Sequence, residues 1–187
     1  MTDTVLETLE SLAEKALAGD RQAFSAIVRQ LMTRVTALTY RITGDRETAL
    51  DLAQDTFVSA WENLRTWRGE SGFANWVFRI ATNRSLNHLK AATRRRTQDN
   101  FDLNELEASD PGPERLLHRQ ELAEQVREFM VSLPPQQRAI FELRFYKEMR
   151  FEEIAQALDR ALGTVKTGYR EAVKKLREHA LEKGWQV

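Results

Sequence analysis

At 187 residues the chain has room for one large domain or two small ones, and 42% apolar with 30% charged residues is the composition of a folded globular protein. The absence of cysteine excludes disulfides, thiolate zinc centres and thiol redox sensing within the chain. No run of about 18 apolar residues offers a membrane span, the acidic stretch Met1 to Glu10 lacks a basic segment leading into an apolar one, and the expected location is cytoplasmic.

Helical periodicity runs nearly throughout and strand-like alternation is absent, so the expected fold class is all-α. A first helix spans roughly Val5 to Ala18. Gly19-Asp20 reads as a stop followed by an N-cap, and the second helix carries Phe24, Ile27, Val28, Leu31, Val35 and Leu38 at three- and four-residue spacing. Gly44-Asp45 repeats the signal, and a third helix runs to about Leu64. On it Asp51, Asp55 and Glu62 form a narrow acidic stripe with Gln54 and Ser59 beside it, while Leu50, Phe57, Trp61 and Leu64 lie on another side. Such a stripe is ordinarily a solvated face.

Arg65 to Gly72 contains two glycines and reads as a loop, bracketed by Trp67, Phe73 and Trp76. A fourth helix, Phe73 to about Arg95, places Trp76, Arg79, Asn83, Asn87 and Lys90 near one face and Phe78, Ala81, Ser85 and Leu89 on the other. Rings interleaved with amides and bases match what unstacked bases need: stacking planes, edge-reading groups and phosphate contacts. Glycines let the loop backbone enclose a base flipped out of the stack. Trp67 reads equally well as a core ring, whereas the polar neighbours of Trp76 lead us to expect it at least partly exposed.

The zero net charge conceals segregation. Between Arg65 and Arg96 stand Arg65, Arg68, Arg79, Arg84, Lys90, Arg94, Arg95 and Arg96 against Glu70 alone. Thr97 to Pro113 is acidic, holds two prolines and has few large apolar residues, so a flexible linker is expected there. Periodicity returns near Arg115 with Leu116, Leu122, Val126 and Phe129, and Leu133-Pro134-Pro135 starts a further helix with proline in its first turn. Phe151 to Leu158, a short turn, and about Gly163 to Lys183 read as a helix-turn-helix. Its second helix buries Val165, Tyr169, Ala172, Val173, Leu176 and Ala180, and turns outward Thr167, Arg170 and Lys174, flanked by Lys166 and Arg177, with Thr164 near its start. Two basic regions with an acidic strip between them point to two nucleic-acid contacts.

His88, His118 and His179 have no metal-ligand spacing, and no phosphate-binding glycine loop or nucleophile–base pair stands out, so no catalytic residue, metal or cofactor is expected. The residues alone leave open an ordinary helix-turn-helix activator with a helical sensor or dimerisation domain, a nucleic-acid enzyme, and an interaction adaptor.

An ordered set of segments narrows this. Ala18-Gly19-Asp20-Arg21-Gln22-Ala23-Phe24, Thr43-Gly44-Asp45 and Asp51-Leu52-Ala53-Gln54-Asp55-Thr56-Phe57 come first. Trp67-Arg68-Gly69-Glu70-Ser71, Asn75-Trp76-Val77-Phe78-Arg79-Ile80-Ala81 and Leu133-Pro134-Pro135-Gln136-Gln137-Arg138 follow, then Glu153-Ile154-Ala155 and Gly163-Thr164-Val165-Lys166-Thr167. Together they cover almost the whole chain, which resembles the extracytoplasmic-function (ECF) branch of the sigma-70 family of RNA polymerase sigma factors.

The resemblance implies a non-enzymatic initiation factor of two small helical domains: region 2 over residues 1–96, an acidic linker over 97–113, and region 4 over 114–187. Asp51, Gln54 and Asp55 would dock on the clamp helices of the largest polymerase subunit. Trp67, Arg68, Ser71, Phe73, Trp76, Arg79, Asn83, Arg84, Asn87 and Lys90 would read and melt the −10 element. Thr164, Lys166, Thr167, Arg170 and Lys174 would read the −35 element as duplex, and the linker would follow the RNA exit path. The implied partners are core polymerase, promoter DNA and an anti-sigma factor through which a stress signal enters, with no obligate homo-oligomer. Two departures bear on the −35 contact: Gly168 and Glu171 stand where a basic or bulkier residue is usual on the recognition helix, and the turn Asp159 to Leu162 lacks the usual glycine.

Overall fold

The computed structural model describes residues 7–99 and 117–183, with side chains over 7–95 and 125–183. Among the described residues there are eight α-helices and no strand. They are α1 (Leu9–Leu17), α2 (Arg21–Thr43), α3 (Arg46–Glu62), α4 (Phe73–Asp99), α5 (Leu117–Ser132), α6 (Pro135–Phe141), α7 (Phe151–Leu158) and α8 (Leu162–Glu182).

Local chemistry sets most boundaries. Thr8 Oγ1 accepts the Ser11 N–H at 3.2 Å, so α1 begins after Thr8 and not at Val5, which lies outside the described residues. One Asp20 carboxylate oxygen accepts the Gln22 and Ala23 N–H groups at 2.8 and 3.1 Å, which starts α2. Gly44, at φ 80°, ends α2 in the left-handed region. Asp45 then caps α3 through the Thr48 N–H at 2.7 Å, and the hydrogen bonds from Thr48 hold its carboxyl below the usual range. A short 3-10 turn, Leu64–Thr66, follows α3 and takes the first residues of the expected loop. The helix α4 runs four residues past the expected Arg95 because neither glycine nor proline interrupts it, which places residues 97–99 of the expected linker in helix. The rest of that segment, residues 100–113, lies outside the described residues.

In the first half, α2 lays Ile27, Leu31, Val35, Leu38 and Ile42 in one fully buried stripe against Ala53, Phe57 and Ala60 of α3 and Phe73, Val77, Phe78 and Ala81 of α4. Each large side chain so buried contributes about 1.5–3 kcal/mol. Three buried hydroxyls among them find acceptors: Thr39 Oγ1 donates to the Ala49 carbonyl at 2.8 Å, and Thr82 and Ser85 to carbonyls one turn back. In the second half, Phe129, Met130 and Leu133 pack with Phe141 and Ala172, and a π-helical turn, Glu142–Tyr146, extends α6. The main core does not stop at the first half. It continues through Ile140, Leu143, Met149, Ile154 and Ala157, so the two halves pack on one another.

Candidate functional site

The outer face of α3 carries Asp51, Gln54 and Asp55, all exposed as the stripe required. The expected apolar side splits: Phe57 and Leu64 are buried, but Leu50 and Trp61 are 43% and 38% exposed and Val58 is 57% exposed beside them. Acids and large apolar side chains therefore share one surface, a composition suited to a protein partner. Asp55 also receives Arg84 Nη1 of α4 at 3.2 Å, which ties the acidic helix to the basic one.

The loop before α4 is pinned by its rings. Trp67 Nε1 donates to the Ser71 carbonyl at 3.1 Å, and the Trp67 ring meets Phe73 edge-on with centroids 5.2 Å apart. Gly69, at φ 75°, supplies the left-handed turn between them. Glu10 of α1 accepts the Phe73 N–H at 3.2 Å and so closes the start of α4, a role its sequence neighbourhood does not announce. Phe73 is fully buried.

Trp76 corrects an expectation. It is 4% exposed, in tilted contact with Phe73, and its indole N–H is buried without a partner. Its polar company is real and exposed, but α7 lies against the Trp76 ring itself. Arg79, Asn83 and Asn87 are exposed along one wall of a cleft of about 680 Å³, with Asn63, Thr66 and Arg84 beside them. The opposite wall is Gln156, Ala157 and Asp159. Asn83 Nδ2 donates to the Ala157 carbonyl at 3.1 Å, and Asn75 Nδ2 donates to Glu153 Oε1 at 3.2 Å. Arg68 lies exposed in the loop, Lys90 lies exposed farther along α4, and Ser71 is half-buried.

In the second half, α7, the turn at residues 159–161 and α8 form a helix-turn-helix. Asp159 takes φ 51°, ψ 57°, so an aspartate fills the left-handed position where glycine is usual. The start of α8 has no side-chain cap, which leaves its first N–H groups available to an anion. Thr164, Lys166, Thr167, Arg170 and Lys174 are all exposed on α8. Phe151, Tyr169 and Val173 floor a groove of about 560 Å³ that Lys166, Arg170, Lys174 and Arg177 edge. Gly168 is not on this outward face: a Cβ there would stand 2.9 Å from Ile140 Cδ1, so the glycine lets α8 approach α6. Its small size is a packing requirement and removes nothing from the outward surface.

A cluster that the sequence reading missed lies where the halves meet. Arg41 of α2 binds Glu142 through Nε at 2.6 Å and Nη2 at 2.7 Å, and the Glu142 side chain is fully buried. Lys147 Nζ donates to the Arg34 carbonyl at 3.2 Å, lies 4.7 Å over the Phe78 ring and stands 4.0 Å from Glu142. Arg138 Nη1 reaches the Ile42 carbonyl. Burial pushes the Glu142 carboxyl up despite Arg41, and it pushes Lys147 down to about 8.

Among the described residues no group of three or more His, Asp or Glu is placed to hold a metal ion, and no helix is long and apolar enough to cross a membrane.

The family model for sigma-70 region 2 matches residues 27–95, and that for sigma-70 region 4 matches residues 123–176. The chain is 30% identical over 177 residues to the RNA polymerase sigma-H factor of Pseudomonas aeruginosa, covering 89% of this chain and 92% of that protein. It is 32% identical over 168 residues to the ECF RNA polymerase sigma-E factor of Escherichia coli K12, covering 86% and 87%. Two solved structures share the fold. The sigma factor RpoE of Bartonella quintana, in complex with the anti-sigma factor NepR, has a TM-score of 0.69 at 21% identity, over 83% of this chain and 95% of that one. CnrH, in complex with the cytosolic domain of CnrY, has a TM-score of 0.66 at 23% identity, over 94% and 97%.

Proposed function

The chain belongs to the sigma-70 family, in its ECF branch, and from that premise we propose how its surfaces divide the work of transcription initiation. A sigma factor is not an enzyme: it binds core RNA polymerase and directs it to promoter DNA. We assign residues 1–96 to polymerase binding and the −10 element, 97–113 to the link, and 114–187 to the −35 element.

The observation that carries this division is a pair of separate exposed basic faces, one on each half. On α4, Arg79, Asn83, Asn87 and Lys90 supply bases and amides of the kind that read unstacked DNA, next to the aromatic loop at Trp67 and Arg68. On α8, Lys166, Thr167, Arg170 and Lys174 stand along an exposed helix face that fits a major groove. The acidic and apolar surface of α3, Asp51, Gln54 and Asp55 with Leu50 and Val58, is left for the clamp helices of core polymerase.

An anti-sigma factor is the regulatory partner we assign to the chain, and work with polymerase on the chromosome places it in the cytoplasm. Run-off transcription from a promoter pool, with and without sigma-free core polymerase, tests the assignment. Specific initiation only when both proteins are present is expected. Tight sequence-specific duplex binding by the chain alone, with no initiation, would overturn it.

A further inference from the structure

We propose that Glu10 is a positioning residue for promoter reading: from α1 it holds the end of the loop that runs from Trp67 to Phe73 and the first turn of α4, and so sets the frame in which the −10 bases are read. The proposal rests on the assignment of that loop and of α4 to the −10 element. Glu10 lies outside residues 27–95, the stretch that matches the region 2 family model.

An acid in the first turn of a helix ordinarily serves that helix's own N-terminus. The start of α1 already has a cap in Thr8, whose Oγ1 accepts the Ser11 N–H at 3.2 Å. Glu10 instead turns its Oε1 to the Phe73 N–H at 3.2 Å, 63 positions along the chain. The same oxygen lies 3.6 Å from where a Cβ on Gly72 would stand. The helix α4 has no such acceptor of its own. Its first backbone bond runs from the Trp76 N–H to the Gly72 carbonyl at 3.1 Å, so its cap position is a glycine, which has no side-chain oxygen to offer. No acid stands in its first turn either.

Glu10 is an exposed residue on a fixed helix. Leu12, Ala13 and Ala16 of α1 are buried in the same core as Phe73 and Trp76. Across the contact, the loop is closed on itself: Trp67 donates to the Ser71 carbonyl and meets Phe73 edge-on, and Gly69 makes the left-handed turn between them. Arg68, Gly69 and Glu70 are exposed at its tip. Phe73 therefore joins the Trp67 ring that shapes the loop, the start of the helix that carries Arg79 and Asn83, and Glu10. Freeing its N–H lets the first turn of α4 fray, and the end of the loop moves with it. A base held in the loop registers that shift, whereas the outward faces of α3 and α8 do not.

The test compares the full-length wild type with Glu10→Ala, Glu10→Gln and, as a control, Glu14→Ala, which removes an exposed acid from the same helix. Amide hydrogen exchange in the free chains reads the contact directly. Each chain is also titrated with core polymerase and assayed for initiation on promoters that carry single-base changes through the −10 element. We expect Glu10→Ala to speed exchange at Phe73 and to lower initiation on the preferred promoter about three- to tenfold, the size of a lost helix cap. Discrimination should fall at one −10 position while polymerase affinity holds, Glu10→Gln should restore most of the loss, and Glu14→Ala should behave as wild type. Unaltered exchange at Phe73 would show that the contact is not populated. Initiation that falls equally on every promoter variant, or not at all, would leave Glu10 a cap that only stabilises the fold; either result overturns the proposal. Arg68→Ala and Asn83→Ala chains with unchanged promoter preference would instead sink the −10 assignment, whatever Glu10→Ala does.

Discussion

The Arg41 guanidinium and the Glu142 carboxylate form two parallel hydrogen bonds, Nε to Oε2 at 2.6 Å and Nη2 to Oε1 at 2.7 Å, between residues 101 positions apart in sequence. Glu142 sits fully buried in the π-helical turn that extends α6, whereas the Arg41 side chain stays 25% exposed. Removing the arginine therefore leaves a buried carboxylate with only the Lys147 ammonium, 4.0 Å away, to balance it. Arg41→Ala should cost about 3–5 kcal/mol of folding stability, read from urea unfolding. The triple variant Arg41→Met, Glu142→Leu and Lys147→Met should recover most of that loss, because no member of the buried charge cluster is then left alone. A triple variant as unstable as the single one would show that shape, not charge, sets the cost.

Asn83→Ala should weaken −10 recognition by about 1–3 kcal/mol, the usual cost of a lost base contact. The same substitution removes the bond to the Ala157 carbonyl, so a stability change accompanies it. Open-complex formation on promoters varied one base at a time isolates the first: the loss should concentrate at one position of the element. A loss spread evenly over all positions would count against base reading.

Lys174 is exposed on α8 at the edge of the basic groove. Lys174→Ala should weaken duplex binding to similar extents for all sequences and reduce the salt slope by about one. Anisotropy titrations at several salt concentrations would show this, and a strongly sequence-selective loss would move Lys174 from phosphate to base.

Gly168→Lys distinguishes packing from recognition. If the position faced DNA, the added cation would strengthen duplex binding. Since a Cβ there meets Ile140 Cδ1 at 2.9 Å, the variant should instead lose about 1–3 kcal/mol by overpacking α8 against α6, with no gain in affinity. A more tightly binding, equally stable variant would contradict the geometry.

Much of this architecture was legible because the chain is punctuated. Gly19-Asp20 and Gly44-Asp45 each combine a left-handed stop with a carboxylate cap, and Pro134-Pro135 fixes the start of α6. The end of α4 carries no such mark, so charge alone misplaced it. The outward residues of α8 were legible from their angular spacing, but Gly168 was not, because a residue without a side chain does not declare which face it serves. The Arg41–Glu142 pair was hidden for a different reason. Arg41 and Glu142 each look like one charge on an amphipathic helix, and only the packing of the two halves makes them partners. Trp76 differs from expectation on the same account: its polar neighbours are solvated, but α7 packs against the ring that stands among them.

Lys147 makes the stability of the contact between the halves depend on pH in the alkaline range. Burial lowers its pKa from the ordinary 10.5 to about 8. Below pH 8 the folded and unfolded chains both carry the proton, and the folded state bears the whole cost of the buried ammonium. Between pH 8 and 10.5 the unfolded chain still holds the proton while the folded chain has released it, so this group's contribution to stability rises with pH across that window. The raised carboxyl of Glu142 acts with the opposite sign, since its contribution falls as pH rises above the ordinary 4.5 toward its folded value. Lys147→Met has no such proton to lose. The difference in unfolding free energy between wild type and Lys147→Met should therefore move in favour of wild type by about 1–3 kcal/mol as pH is raised from about 7.5 to about 10. Urea titrations of both chains across that range provide the measurement. A difference that stays constant would mean that Lys147 is solvated in the folded chain, and the contact with Phe78 and the Arg34 carbonyl would then not be the state that unfolds.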